Sequence, residues 1–253
     1  MAAVFFTSSW DDGHPLDLRV AELLSKHGFT GTFYVPGRNP GGHCTPDGLP
    51  VLSAAELNTL GSEFEIGSHT LDHQFLDEVS EPEAKRQIDE GKKELESQLG
   101  RAITGFCYPG GRYSEVHSRL VREAGFRYAR TIENLQAGFP SDPYSMSTTI
   151  QFYPHRPQSY LKNYVKFGHW GERSSLLIRA LRYSDLRRRM EALLDRVCAA
   201  GGVFHLWGHS WEIDVFKGWG DLDSFLRAAA DRIPNANRLS NCALFDRSLV
   251  TRR

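Results

Sequence analysis

Asp11 and Asp12, in Ser9-Trp10-Asp11-Asp12-Gly13, set two adjacent carboxylates behind an apolar run, Val4-Phe5-Phe6, that reads as a strand. An aspartate pair at a strand end can divide two tasks, one carboxylate holding a cation and the other taking a proton. Side chains alternate along a strand, so both reach one cavity only where the backbone turns, and Gly13 supplies the turn. Standing alone, an Asp-Gly step reads as a solvated turn. Its partners lie in Ser68-His69-Thr70-Leu71-Asp72-His73. Histidines four apart are separated by about one helical turn, so both imidazoles can face one ion. The spacing alone also fits two surface histidines. Beside the carboxylates it predicts an ion held by one carboxylate and two imidazoles, with a position left open for water, as a hydrolytic centre requires.

Such a centre needs a scaffold, and the chain alternates strand-like and helix-like segments. Pro15 opens a helical pattern with Leu16, Val20, Leu23 and Leu24 on one face, and Gly28 closes it. Residues 30–35 read as a strand, and a Gly- and Pro-rich loop follows to residue 50. Ser53 with Glu56, and Ser80 with Glu83, form capping boxes for two helices. Between them residues 64–67 read as the strand that delivers His69. The second helix carries Ile88, Leu95 and Leu99 and stops at Gly100; residues 103–108 are the next strand, followed by Pro109-Gly110-Gly111. Ser114 caps another helix, and 127–131 is again strand-like. Residues 184–200 and 221–233 read as helices flanking a buried strand at 203–207. The stretch from about 139 to 183 is aromatic-rich without clean periodicity and is expected to be irregular. Repeated strand–loop–helix units imply a parallel sheet with helices outside it, and chemistry at the C-terminal strand ends. Those ends carry Asp11-Asp12, His69, Tyr108-Pro109 and Trp207-Gly208-His209.

Composition narrows the setting. The 253 residues are 40% hydrophobic and 24% charged, and 30 basic against 31 acidic residues give a net charge of −1. This fits a soluble globular protein and offers nothing to attract nucleic acid. Arg187-Arg188-Arg189 is the one dense basic stretch, expected as the solvated face of a helix. Cysteines at 44, 107, 198 and 242 form no Cys-x-x-Cys pair, which excludes a zinc ribbon and suits a reducing compartment. No apolar run approaches the roughly 18 residues of a membrane span. The first strand begins near residue 3 and leaves no room for a signal segment, so either a cytoplasmic location or a trimmed sequence is expected.

The motifs carry a family resemblance. Ser-Trp-Asp-Asp-Gly and Ser-His-Thr-Leu-Asp-His resemble the first two motifs of polysaccharide deacetylases with the NodB homology domain, carbohydrate esterase family 4. Phe106-Cys107-Tyr108-Pro109-Gly110-Gly111 resembles a variant of the third, and His209 in Leu206-Trp207-Gly208-His209 is the counterpart of the last. The resemblance runs in order across residues 4–212. It implies a distorted (β/α)7-type, NodB-like barrel, a single domain over residues 1–253, and metal-dependent removal of N-acetyl groups from amino sugars. Carried over by motif, Asp11 is the general base, and Asp12, His69 and His73 hold the metal. The Tyr108 backbone N–H serves the oxyanion, and His209 protonates the leaving amine. One carboxylate and two imidazoles suit Zn2+, with Co2+, Ni2+ or Fe2+ able to bind.

Departures from the pattern set further expectations. The arginine that orients the catalytic aspartate in the family's third motif is replaced by Cys107. Arg112 is the substitute suggested here, against its plain reading as an exposed loop arginine. No aspartate–tryptophan motif occurs between residues 130 and 200. His205 precedes His209 by four, but lies inside an apolar strand as a core histidine would; His14 is expected at the mouth without a chemical role. Trp207, Trp211 and Trp219 crowd around His209, and Trp211, Trp207 and Tyr108 are the candidates for contacting a sugar. Glu212 and Asp214 are expected on the same rim. The expected substrate is an N-acetylated amino sugar or a short or carrier-linked glycan. The alternatives are an amidase acting on a cyclic imide or ureide, and a catalytically inactive sugar-binding module.

Overall fold

The computed structural model of the chain describes residues 2–38 and 51–251; Cys44 and most of the loop expected up to residue 50 lie outside them. The strands are β1 Val4–Asp11, β2 Thr32–Val35, β3 Glu65–Ser68, β4 Gly105–Cys107, β5 Tyr128–Arg130, β6 Ile150–Gln151 and β7 Gly202–His209. All are parallel, in the order β5-β4-β3-β2-β1-β7-β6. Helices α1 Asp17–Lys26, α2 Ala54–Glu63, α3 Glu81–Leu99 and α4 Glu115–Glu123 cover one part of the sheet. The rest is covered by α5 Pro157–Phe167, α6 Trp170–Arg182, α7 Leu186–Ala200, α8 Ser210–Val215, α9 Trp219–Ala230 and α10 Asn241–Thr251. This is the α/β architecture expected, a curled half-barrel of the distorted (β/α)7 type.

One face of the sheet centre is buried but polar, with Thr7 bonded to Asn241 and Ser9 to His205, whereas the other, covered by helices, is apolar. Phe6, Trp10, Phe33, Phe204 and Leu206 are buried there, and Phe6 stacks on Phe204 with centroids 5.9 Å apart. β1 pairs with β7 from Val4↔Gly202 to Asp11↔His209, and with β2 up to Asp11↔Tyr34. Asp11 and His209, at opposite ends of the sequence, are therefore neighbours on one rung. All seven strands run the same way, so their C-terminal ends form one mouth, where Asp11, His69, Cys107, Arg130, Gln151 and His209 emerge.

Helix ends follow the sequence signals unevenly. Ser53 accepts from the Glu56 N–H while Glu56 accepts from the Ser53 N–H, the reciprocal box expected. Ser80 makes no such side-chain bond; Glu83 is drawn to Arg86 at 2.6 Å instead. Ser114 caps α4 with His117. Helix α3 presents Ala84, Gln87, Ile88, Gly91 and Leu95 to the interior, the i, i+3, i+4 rhythm of an amphipathic helix. Gly91 is required by contact: a Cβ there would sit 2.6 Å from the Thr70 carbonyl carbon. The helix thus lies directly on the turn between His69 and His73.

Residues 139–183 are irregular only in part. They hold β6 and the hairpin of α5 and α6, which sequence periodicity did not reveal because buried arginines do part of the work of an apolar stripe. Arg173 is fully buried and donates to the carbonyls of Asn134, Asn163, Tyr164 and Gly168. Arg189 is likewise buried, donating to the carbonyls of Ala180, Tyr183 and His155, so only Arg187 and Arg188 of the basic triplet face solvent.

Candidate active site

The strand end of β1 solves the problem of two adjacent aspartates by breaking the strand's alternation. Asp12 has a φ of 81°, a left-handed conformation rare for a residue with a side chain, and it turns both carboxylates into the mouth. Thr70 and His73 have φ of 66° and 56°, so the histidine pair sits on a tight turn rather than on the helical turn the spacing suggested. Positive φ at three residues in one place is strain of the kind that marks functional sites. It is held by the neighbours. Gln87 donates to Asp72 and accepts from its N–H at 2.9 and 3.0 Å, and Gly91 presses on Thr70.

The expected ligands converge. Asp12 Oδ1 lies 3.2 Å from His73 Nε2 and 3.7 Å from His69 Nε2, and their donor atoms all fall within 4.8 Å of one another. Ligands about 2.1 Å from a tetrahedral ion stand about 3.4 Å apart, so the donor set fits a small divalent cation. His69 Nδ1 lies 2.8 Å from the Cys107 carbonyl, which fixes the ring and leaves Nε2 for a ligand. Burial first, and then the charge of His73, lower the His69 pKa to about 4, so it is neutral and ready to ligate. Burial would raise the pKa of Asp12, but His209, His73 and His69 outweigh it and hold this group ionised. Trp211 Nε1 donates to Asp12 Oδ2 at 3.0 Å.

Asp11 stands apart from that set. Its Oδ1 is paired with the guanidinium of Arg130, which is fully buried between the rings of Tyr34 and Trp207. The Cys107 thiol lies 3.8 Å from Asp11 Oδ2, and burial keeps it protonated. Asp11, His69 and Cys107 also bring donor atoms together, but the buried Arg130 cation at Asp11 makes this second cluster unsuitable for another cation.

His209 closes the mouth from the other side, with Nε2 3.9 Å from Asp12 Oδ2. Its Nδ1 faces Glu212 Oε2 at 2.7 Å. Gln151 donates to the same oxygen at 2.9 Å, and Gln151 Oε1 meets His155 Nε2 at 2.7 Å. Burial would lower the His209 pKa, but Asp12, the bond to Glu212 and the charges of Glu212 and Asp11 raise it to about 9. Asp17, fully buried at the start of α1, adds a third carboxyl; burial and then the charges of Asp12 and Asp11 push its pKa well up, so it keeps its proton.

Several expectations need correction. Arg112 does not orient Asp11: it is exposed, bonded to Asp77 and Glu78 at 3.0 and 2.6 Å, and Arg130 holds the place proposed for it. The Tyr108 N–H is not idle, because it points at the Arg130 carbonyl at 3.4 Å, and the Tyr108 ring is buried against Tyr113 with no face left for a sugar. Trp207 is buried as well, donating to Asn134 at 2.9 Å. Trp211 stacks on His209, 5.5 Å between centroids, and remains half-buried at the rim. Trp219 bonds to Asp214 under Arg19, and His14 is buried, accepting from the Leu16 N–H. His205 is a core histidine, held between Ser9 and the Ser147 carbonyl at 2.9 and 3.1 Å.

Sequence reasoning did not place Arg130, and it put Glu212 on the rim without its bond to His209. Each left a signal. Arg130 is a charge within an apolar strand, which demands a buried partner. Glu212 follows His209 by three, the spacing of neighbours on a helical turn.

A model of the polysaccharide deacetylase family matches residues 4–129, the stretch that contains Asp11, Asp12, His69, His73 and Cys107. The chain belongs to the polysaccharide deacetylase family. It is 23% identical to YxkH of Bacillus subtilis, a provisionally named polysaccharide deacetylase, over 51% of this chain and 42% of that protein, so it spans less than half of that relative's length. A provisionally assigned polysaccharide deacetylase from Mycobacterium smegmatis shares the fold, with a TM-score of 0.67 and 14% identity over 99% of this chain and 92% of that one. A family 4 acetyl xylan esterase from Clostridium thermocellum, solved with a cobalt ion, has a TM-score of 0.58 and 15% identity over 96% and 90% of the two chains. Among the described residues no helix is long and apolar enough to cross a membrane.

Proposed function

We propose that this chain is a divalent-metal hydrolase that removes N-acetyl groups from an amino sugar or from a short or carrier-linked glycan. The observation that carries the reading is the division of the aspartate pair. Asp12 stands 3.2 and 3.7 Å from two imidazoles, while Asp11 is paired with Arg130. Zinc suits the donor set; cobalt, nickel and iron are the other candidates. When bound, the ion supplies Lewis acidity, polarising an acyl carbonyl and lowering the pKa of water.

The chain's own residues supply the rest. Asp11, aimed by Arg130, takes the proton of the attacking water. His209, with Nδ1 on Glu212, turns Nε2 toward Asp12 and gives its proton to the departing nitrogen, without which an amine leaves poorly. Trp211 steadies Asp12 with its N–H and offers its ring edge to the substrate at the rim.

The test is metal analysis of the purified chain, followed by acetate release from N-acetylated amino sugars and short oligosaccharides. Asp11→Asn is expected to keep the metal and lose turnover by a factor of about 10² or more. A chain that binds no divalent ion, or that opens cyclic imides and releases no acetate, would overturn the proposal.

A further inference from the structure

The hairpin of α5 and α6 is the part of the molecule whose surface the deacetylase chemistry does not explain. Among the described residues, half of the exposed large hydrophobics lie within it: Leu161, Val165, Trp170 and Ile178, at 44%, 67%, 59% and 66% exposure. Leu161 and Val165 are four apart on α5 and share a face. Lys162 and Lys166 run beside them as a parallel stripe, also exposed.

The charge there is one-sided. From Arg156 to Arg189 the sequence carries nine Lys or Arg against Glu172 and Asp185, a net +7 in a chain of net −1. Arg173 and Arg189 are buried in carbonyls, which leaves the others near the surface. Elsewhere the chain pairs its bases: on α3, Lys85 meets Asp89 at 2.7 Å and Arg86 meets Glu90 at 2.7 Å. Here Asp185 is occupied in capping α7 through the Arg188 N–H. No described carboxylate forms an ion pair with Arg156, Lys162, Lys166 or Arg182.

Exposed tryptophan and aliphatic side chains among unneutralised bases are the chemistry of an anionic lipid surface. Trp prefers the headgroup level, the aliphatic tips enter the acyl boundary, and Lys and Arg meet lipid phosphates. We propose that the α5–α6 hairpin docks this protein on an anionic membrane surface. A second copy of the chain is the less suited occupant, since two such faces would set positive charge against positive charge. The position is also suited to the mouth. The chain passes from Gln151, bonded to Glu212, into α5 within six residues, and Arg189 ties His155 to Tyr160. A lipid surface under the hairpin would lie beside the active-site rim.

Co-sedimentation tests the proposal with two sets of vesicles, pure phosphatidylcholine and phosphatidylcholine holding about one-third phosphatidylglycerol. Expected is binding to the anionic vesicles alone, weakening as salt is raised. Lys162→Glu with Lys166→Glu should reduce binding by about fivefold or more for each base reversed. Val165→Ser with Trp170→Ser should reduce it by about tenfold or more. Circular dichroism and acetate release from a small soluble substrate should be unchanged in both, since none of these residues touches the site. Failure to bind anionic vesicles at low salt, or binding indifferent to both double variants, overturns the proposal. So does a dimer in sedimentation that the same substitutions dissolve while no vesicle is bound.

Discussion

Glu212→Gln separates charge from geometry at the proposed acid. Both His209 Nδ1 and Gln151 Nε2 meet the same oxygen of Glu212, at 2.7 and 2.9 Å. A glutamine that keeps its carbonyl at that position accepts both bonds, so the imidazole stays oriented and only the negative charge goes. A hydrogen bond to a charged group is worth about 1.5–3 kcal/mol, and a neutral one about 0.5–1.5. The loss is then about 1–1.5 kcal/mol in favour of the neutral ring, or about one pKa unit. The sign is downward, because removing an anion beside a cation favours the deprotonated form. In the proposed role His209 supplies a proton, so the alkaline limb of the kcat/KM profile should report it. That limb should move about one pH unit lower in Glu212→Gln at equal metal content, with the plateau changed only a few-fold. At pH above both limbs the variant should be about tenfold slower. Glu212→Ala, which also frees the ring, should lose about 10²-fold or more throughout.

The same linkage reads out in stability. In the metal-free chain the His209 pKa is raised from 6.5 to about 9. Its contribution is fully present below 6.5 and is lost as pH rises through about 9; in the variant the upper end should fall by about one unit when Tm is followed against pH. An alkaline limb that stays where it was, with the rate lowered uniformly, would refute Glu212 as the residue that sets the proton on His209.

Arg130→Met strands the buried Asp11 carboxylate, which should cost about 3–5 kcal/mol and lower Tm by on the order of 10 °C, whereas Arg112→Ala removes only exposed pairs worth about 0–1 kcal/mol and should leave acetate release intact. The exchange Cys107→Arg with Arg130→Cys should recover much of the stability and turnover that Arg130→Cys alone loses. Trp211→Phe keeps the ring and deletes the N–H on Asp12; metal affinity, measured by competition with a chelator, should fall about 10- to 100-fold.

The legible part of the site is the part written contiguously. Asp11-Asp12 and the His69–His73 pair are short stretches at strand ends, and their residue types alone narrow the chemistry. Strand–helix alternation was readable for the same reason, since periodicity is local. The hairpin at 157–182 was not, because Arg173 satisfies backbone carbonyls where a regular apolar stripe would otherwise be expected. Trp207 and Tyr108 show the complementary failure: an aromatic near a catalytic residue in sequence is as often core as platform, and only packing decides.

The arginine at Asp11 shows why a motif can be incomplete in sequence and complete in space. β4 and β5 pair in parallel with Cys107 directly opposite Arg130. Both positions are strand ends on the same side of the sheet, and both side chains reach the same carboxylate, the thiol at 3.8 Å on one oxygen and the guanidinium on the other. A carboxylate buried this deeply needs one cation, and it is indifferent to which strand carries it. Moving the charge one strand sideways keeps a cation on Asp11 while leaving the third motif without its arginine. The tryptophan and acid missing from 130–200 fit the same logic, since Trp211 and Glu212 reach Asp12 and His209 from α8, which follows β7. Along the chain these are absences; across the mouth the polar partners are present, contributed by neighbouring elements.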